Sequence, residues 1–191
     1  MSGSGNSSSG SQPLAYIDTN VFSYLLLPYK ESQNLDHLVE QANKFAGEIV
    51  DGTFIGLTST FTETEYRSLS KRKISEKKKS QIAPQEEAAA MDDFSRMIDA
   101  LGIGLVDADK VAPEISGKLK IFSGCGDTVR RSNPVPIKEG KGCKWRMISS
   151  VDVLMVNLAI RMRADLFATF DSGFRGYTDS NIAPLIISDR Y

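Results

Sequence analysis

The sequence predicts an α/β/α sandwich, three layers built on a mostly parallel central sheet of about five strands. Two observations carry this. From Leu14 onward, short apolar runs of strand length alternate with longer segments whose apolar residues recur at helical spacing. Several acidic residues also fall directly after the strand-like runs or at the starts of the helical ones, and in parallel sheets ligands bind beyond the carboxyl ends of the strands. The chain has 191 residues, 41% of them hydrophobic, which suits one domain with an insertion and leaves enough apolar material for a core.

Residues 1–13 are rich in Gly, Ser and Asn and read as a flexible tail, without the apolar centre of a signal peptide. The single domain then spans 14–191. Leu14 to Ile17 reads as a buried strand that stops at the polar Asp18-Thr19-Asn20, where a short helix over Val21–Leu27 begins and Pro28 ends it. A second helix covers Leu35 to Val50, with Leu35, Leu38, Val39, Ala42, Phe45, Ala46 and Ile49 on one side. Thr53 to Thr60 is strand-like, and a helix start follows at Thr62-Glu63-Thr64-Glu65. The cationic run Lys71–Lys79 reads as a solvated helix face or linker.

Pro84 to Leu101 is a helix, with Met91, Phe94, Met97, Ile98 and Leu101 on one side. Gly102–Val106 is a short strand. Ala108–Leu119 is an imperfect helix interrupted by Pro113. From Gly124 to Arg146 the rhythm breaks into a long loop or β-hairpin insertion. Ile148–Arg163 is a strong helix, Asp165–Phe170 a strand ending at Asp171, and Ala183–Ile187 the last strand.

The formal net charge of -1 means that any attraction to nucleic acid must be local. One such place is the insertion, where Arg130, Arg131, Lys138, Lys141, Lys144 and Arg146 face only Glu139 between 128 and 146, with Trp145 among them. Cations with an aromatic suit single-stranded RNA; the plainer reading is a solvated loop with Trp145 anchored in the core. Cys125 and Cys143 form no CxxC and His37 is the only histidine, so a Cys/His zinc site is not expected. The two thiols read as reduced, in a cytoplasmic protein, and no apolar run is long enough to span a bilayer.

Asp18, Glu65, Asp152 and Asp171 all lie at strand ends or near helix starts. Each alone is explained as a helix cap or dipole partner. As a set brought to one sheet edge they would repel, and a hard divalent cation such as Mg²⁺ or Mn²⁺ is the natural compensation.

The segment Tyr16-Ile17-Asp18-Thr19-Asn20-Val21-Phe22 resembles the opening motif of PIN-domain nucleases. Ala168-Thr169-Phe170-Asp171-Ser172-Gly173-Phe174 resembles their last acidic motif. Ser150-Val151-Asp152 with Asn157-Leu158-Ala159, and Ser59 to Tyr66, are similar to the intervening motifs, in the same order across nearly all of the chain from Leu14. Glu63 and Glu65 compete for the second acid; Glu65, six residues after Ser59, is the one the resemblance favours.

The resemblance implies a PIN-like fold and a Mg²⁺- or Mn²⁺-dependent endoribonuclease. Asp18, Glu65, Asp152 and Asp171 would be its catalytic and metal-holding residues, and Thr19 and Asn20 polar groups beside the first acid. RNA would be the substrate, with Arg130, Arg131, Lys144 and Trp145 as further candidate contacts. Many members are VapC-type toxins, so an antitoxin protein is an expected partner. A homodimer is expected too, joined through an apolar face near Val21–Leu27 or Leu35–Ile49.

Two other classes compete. Flap nucleases carry more acids and a helical clamp, for which no segment is seen, and an aspartyl phosphatase would want a DxD motif where Asp18 is followed by Thr19-Asn20. A non-catalytic PIN-like scaffold would be expected to lose acids, and this chain carries all of them.

Overall fold

The computed structural model describes residues 11–28, 35–108, 134–139, 142–147, 150–174 and 182–191. Five strands form one all-parallel sheet: β1 (Leu14–Ile17), β2 (Ile55–Ser59), β3 (Gly104–Val106), β6 (Leu166–Thr169) and β7 (Ala183–Ile186). Their order is β3-β2-β1-β6-β7. The chain builds outward from β1 to β2 and β3, then returns to the other side of β1 with β6 and β7. The order therefore reverses at the β1–β6 pair, and such a switch point opens a crevice beyond the carboxyl ends of the two strands.

The strands are short and apolar because both faces of the sheet are covered. Alternation along each strand sorts its side chains. Tyr16 and Phe167 point to one face, where they meet Met155, Val156, Leu158 and Ala159 of α5 (Ser150–Arg161). Ala15, Ile17 and Ala168 point to the other. There they join Val21 and Phe22 of α1 (Thr19–Leu26), Phe45 and Ile49 of α2 (Asp36–Val50), Tyr66 of α3 (Thr60–Lys78) and Phe94 of α4 (Pro84–Leu101). These are the three expected layers. The apolar side chains of α1 and α2 that were candidates for a dimer contact, including Val21, Phe22, Phe45 and Ile49, are buried in this chain's own core. His37 lies exposed on α2.

Local chemistry sets the helix bounds. Pro84 opens α4, the Glu86 carboxylate accepts the Ala83 N–H at 3.0 Å, and Gly102 at φ 63° closes the helix. Because Gly102 is spent on that cap, β3 begins at Gly104, two residues later than expected. The Ser59 hydroxyl caps α3 by accepting the Thr62 N–H at 3.3 Å. This helix runs unbroken to Lys78, so most of the Lys71–Lys79 run is helical.

Within the expected insertion, β4 (Pro134–Glu139) and β5 (Gly142–Met147) form an antiparallel hairpin apart from the main sheet, Pro136 opposite Trp145. The backbone of β4 passes close to the 3₁₀ turn Ser172–Phe174. Arg130, Arg131, Cys125 and all but the first residue of the expected helix Ala108–Leu119 lie outside the described residues. So do the side chains of Lys144, Trp145 and Cys143, whose backbones belong to β5. A four-residue helix, α6 (Ile187–Arg190), follows β7, and Arg190 pairs with Glu48 of α2 at 2.9 Å. Among the described residues, no helix is long and apolar enough to cross a membrane.

Candidate active site

Asp18 leaves β1 at the switch point and is only 4% exposed. Its backbone N–H donates to Ala168 O at 3.0 Å, extending the β1–β6 ladder by one residue. It occupies the N-cap position of α1 with extended backbone angles, yet its side chain makes no capping bond. Instead, Asp18 Oδ2 accepts a 2.6 Å hydrogen bond from the hydroxyl of Thr169, the last residue of β6. Asp18 thus makes no capping bond, although the backbone N–H of Thr19 at the start of α1 also favours its charged form.

Thr169 joins several residues of the site. Its Oγ1 donates to Asp18 and accepts from Asn20 Nδ2 and from the Asp171 N–H, both at 2.9 Å. One donor and two lone pairs are all a hydroxyl has, so its capacity is filled. Asn20 Oδ1 in turn accepts the Phe170 N–H at 3.0 Å. Asn20 thus clips the end of β6 to the start of α1, and Asp171 is oriented through the same hydroxyl as Asp18.

Thr19, buried beside Asp18, donates its hydroxyl to Glu65 Oε2. Glu65 lies in the second turn of α3. Below it, Tyr16 from β1 bonds Ser59 at 2.7 Å and Thr62 at 2.8 Å, both buried. Burial pushes the Tyr16 phenol up to about 12, so it stays neutral and holds the first turn of α3 to the sheet. Asp152 stands in the first turn of α5.

Asp18, Glu65, Asp152 and Asp171 line one cleft of about 430 Å³, together with Thr19 and Asn20. Among the described residues, the remaining lining is Ser68, Leu69 and Arg72 of α3. Glu63, the competitor of Glu65, is not among them; its carboxylate faces Arg67 at 4.0 Å, one turn along α3. Arg72, Ser68 and Leu69 were not singled out from the sequence, although they follow Glu65 at i+7, i+3 and i+4, the spacing of one helix face. Nothing in the sequence around Thr169, a strand threonine, announces a bond to a distant aspartate.

The electrostatics are those of crowded acids. Asp18 is pushed up to about 7, mainly by burial; the Thr169 hydroxyl opposes this, while the negative charges of Glu65 and Asp152 add to it. Glu65 is raised as well, first by burial and then by Asp152, against the Thr19 hydroxyl bond. Negative charge in this cleft is costly unless a proton or a cation offsets it.

The donor set is all oxygen, which fits a hard divalent cation and not a soft one. Among the described residues, no group of three or more acidic, His or Cys side chains is placed so as to hold a metal ion by itself. Mg²⁺ does not require such a group, because it is commonly held through one or two carboxylates and keeps several waters. A cleft of this volume has room for a hydrated ion, each water filling about 30 Å³.

The sequence matches no family model and no curated protein.

Proposed function

We propose that the chain is a Mg²⁺- or Mn²⁺-dependent endoribonuclease acting at the cleft beyond β1 and β6. One observation carries this: carboxylates from four separate segments line one cleft at the strand-order reversal, the most buried of them held by a neighbouring strand's hydroxyl and not used as a cap. The resemblance of the four motifs to PIN-domain nucleases adds the substrate class, RNA.

Asp18, Asp152 and Asp171 would hold the ion directly or through water, with Glu65 completing the acidic set. Bound there, a divalent cation supplies positive charge for the scissile phosphate and acidifies a water ligand. The chain's own part is to hold the carboxyl of Asp18 in place, where a bound cation would favour its ionised form. Thr169 sets the rotamer of Asp18 and Thr19 that of Glu65, so neither carboxylate has to be ordered when substrate arrives. No histidine base is needed, and His37 on α2 does not line the cleft.

The proposal extends to the toxin half of a cytoplasmic toxin–antitoxin pair and to a homodimer, both from the resemblance alone. The deciding experiment is cleavage of a labelled RNA by the purified chain with Mg²⁺ or Mn²⁺, against EDTA and against Asp18→Asn. Metal-dependent cleavage lost in the variant is expected. RNA left intact by the wild type at millimolar Mn²⁺ would overturn the nuclease assignment.

A further inference from the structure

Among the described residues, the lining of the acidic cleft includes one cation, Arg72. Other basic residues of α3 are taken up by α4: Arg67 and Lys71 face Glu87 at 3.8 and 2.9 Å, and Lys78 pairs with Glu86. At about 100° per residue, positions 67, 71 and 78 fall within an arc of about 40°, whereas 65 and 72 lie within about 20° of each other and about 130° away from that arc. Three of the helix's cations thus pair toward α4, whereas Arg72 lines the cleft with the carboxylates.

Among the described residues, no carboxylate lies within ion-pair distance of Arg72, although acids line the same cleft. Its place is therefore not explained by a salt bridge to them. Seven residues separate it from Glu65, a rise of about 10 Å along the helix. Net charge elsewhere on the chain offers no general attraction for a polyanion, so a cation at this rim matters locally.

Resting on the nuclease assignment of the same cleft, we infer that Arg72 binds a backbone phosphate of single-stranded RNA next to the phosphate being cleaved, with Ser68 one turn nearer the acids as a hydroxyl donor. A guanidinium suits a phosphate because its planar fork donates two parallel N–H bonds. The acids hold the scissile group and Arg72 holds its neighbour, which sets the direction in which the strand lies across the cleft.

The test compares wild type, Arg72→Ala and Arg72→Lys on a short oligouridylate and on UpU, which contains a single phosphodiester. For Arg72→Ala, KM on the oligouridylate should rise about tenfold with kcat little changed, the loss of one charged phosphate contact. Kinetics on UpU should not change, because UpU has no neighbouring phosphate. The slope of log kcat/KM against log salt should shrink by about 0.7. Arg72→Lys should keep that slope and recover part of the affinity. Equal losses on both substrates, or no change on either, would overturn the assignment of Arg72. Anisotropy of labelled oligouridylate reads binding without turnover. A wild type that binds but does not cut would remove the nuclease assignment while weaker binding by Arg72→Ala upheld the phosphate contact; a wild type that does neither would overturn both.

Discussion

The Thr169 hydroxyl donates a 2.6 Å hydrogen bond to Asp18 Oδ2 across two adjacent parallel strands, joining residues 151 positions apart in the chain. Both are buried, Thr169 completely. The bond replaces solvent for a carboxylate that has little, and the same oxygen accepts the backbone N–H of Asp171.

Thr169→Val keeps the shape of the side chain and removes that oxygen. Asp18 loses its side-chain donor, and Asn20 Nδ2 and the Asp171 N–H lose this acceptor. A buried polar group left unpaired costs about 1–3 kcal/mol, so the urea midpoint should fall by a corresponding amount with m unchanged. Thr169→Ser should recover most of the loss. A Val variant as stable as wild type would show that the bond contributes nothing to folding.

Asp18→Asn should stabilise the metal-free protein at neutral pH. The folded pKa of Asp18 is raised to about 7 from 3.8. Its contribution to stability is thus fully present below about pH 4 and lost as pH rises through 7. In EDTA, the Tm of wild type should decline across that window. The variant should decline less, Glu65 still contributing through its own raised pKa. Parallel Tm profiles for the two proteins would remove Asp18 as the source.

Added Mn²⁺ should raise the Tm of wild type, and raise it more at pH 8 than at pH 5.5. A proton on Asp18 competes with the ion, so apparent affinity grows as the carboxyl ionises. Asp18→Asn should show a much smaller rise at either pH. Equal rises in the two proteins would place the binding elsewhere.

Glu63 and Glu65 make a matched pair for mutagenesis. Glu65→Gln should lower metal-dependent cleavage by roughly 10–100-fold, as loss of a supporting carboxylate commonly does. Glu63→Gln should leave cleavage within about twofold and stability within about 0.5 kcal/mol, since it touches only an exposed arginine. The reverse ranking would move the second acid to Glu63.

Parts of this architecture are legible residue by residue. The bounds of α4 follow from Pro84 and Gly102, whose backbone preferences act locally, and Asp18 and Asp171 show their places because each directly follows an apolar run of strand length. The α3 helix is harder to read. It is charged on most sides, with Tyr66 its only fully buried large side chain, so its apolar stripe is too thin to show which face meets the cleft. Arg72 therefore looks like one more lysine-rich-run cation until α4 is placed and Glu86 and Glu87 absorb its neighbours. Strand order is not written locally either: an apolar run pairs equally well with any neighbour, and only the packed helices decide that β6 lies beside β1.

That pairing of β1 with β6 also governs when the cleft can exist during synthesis. The opening acid is made some 150 residues before its hydroxyl donor and the last acid. At about 5–20 residues per second, this delay amounts to roughly 8–30 seconds of translation. A nascent chain or premature fragment ending before β6 carries Asp18 without Thr169 or Asp171. Within one chain, the cleft is thus withheld until β6 and the turn after it have been made, and the proposed cleavage activity would be absent until then.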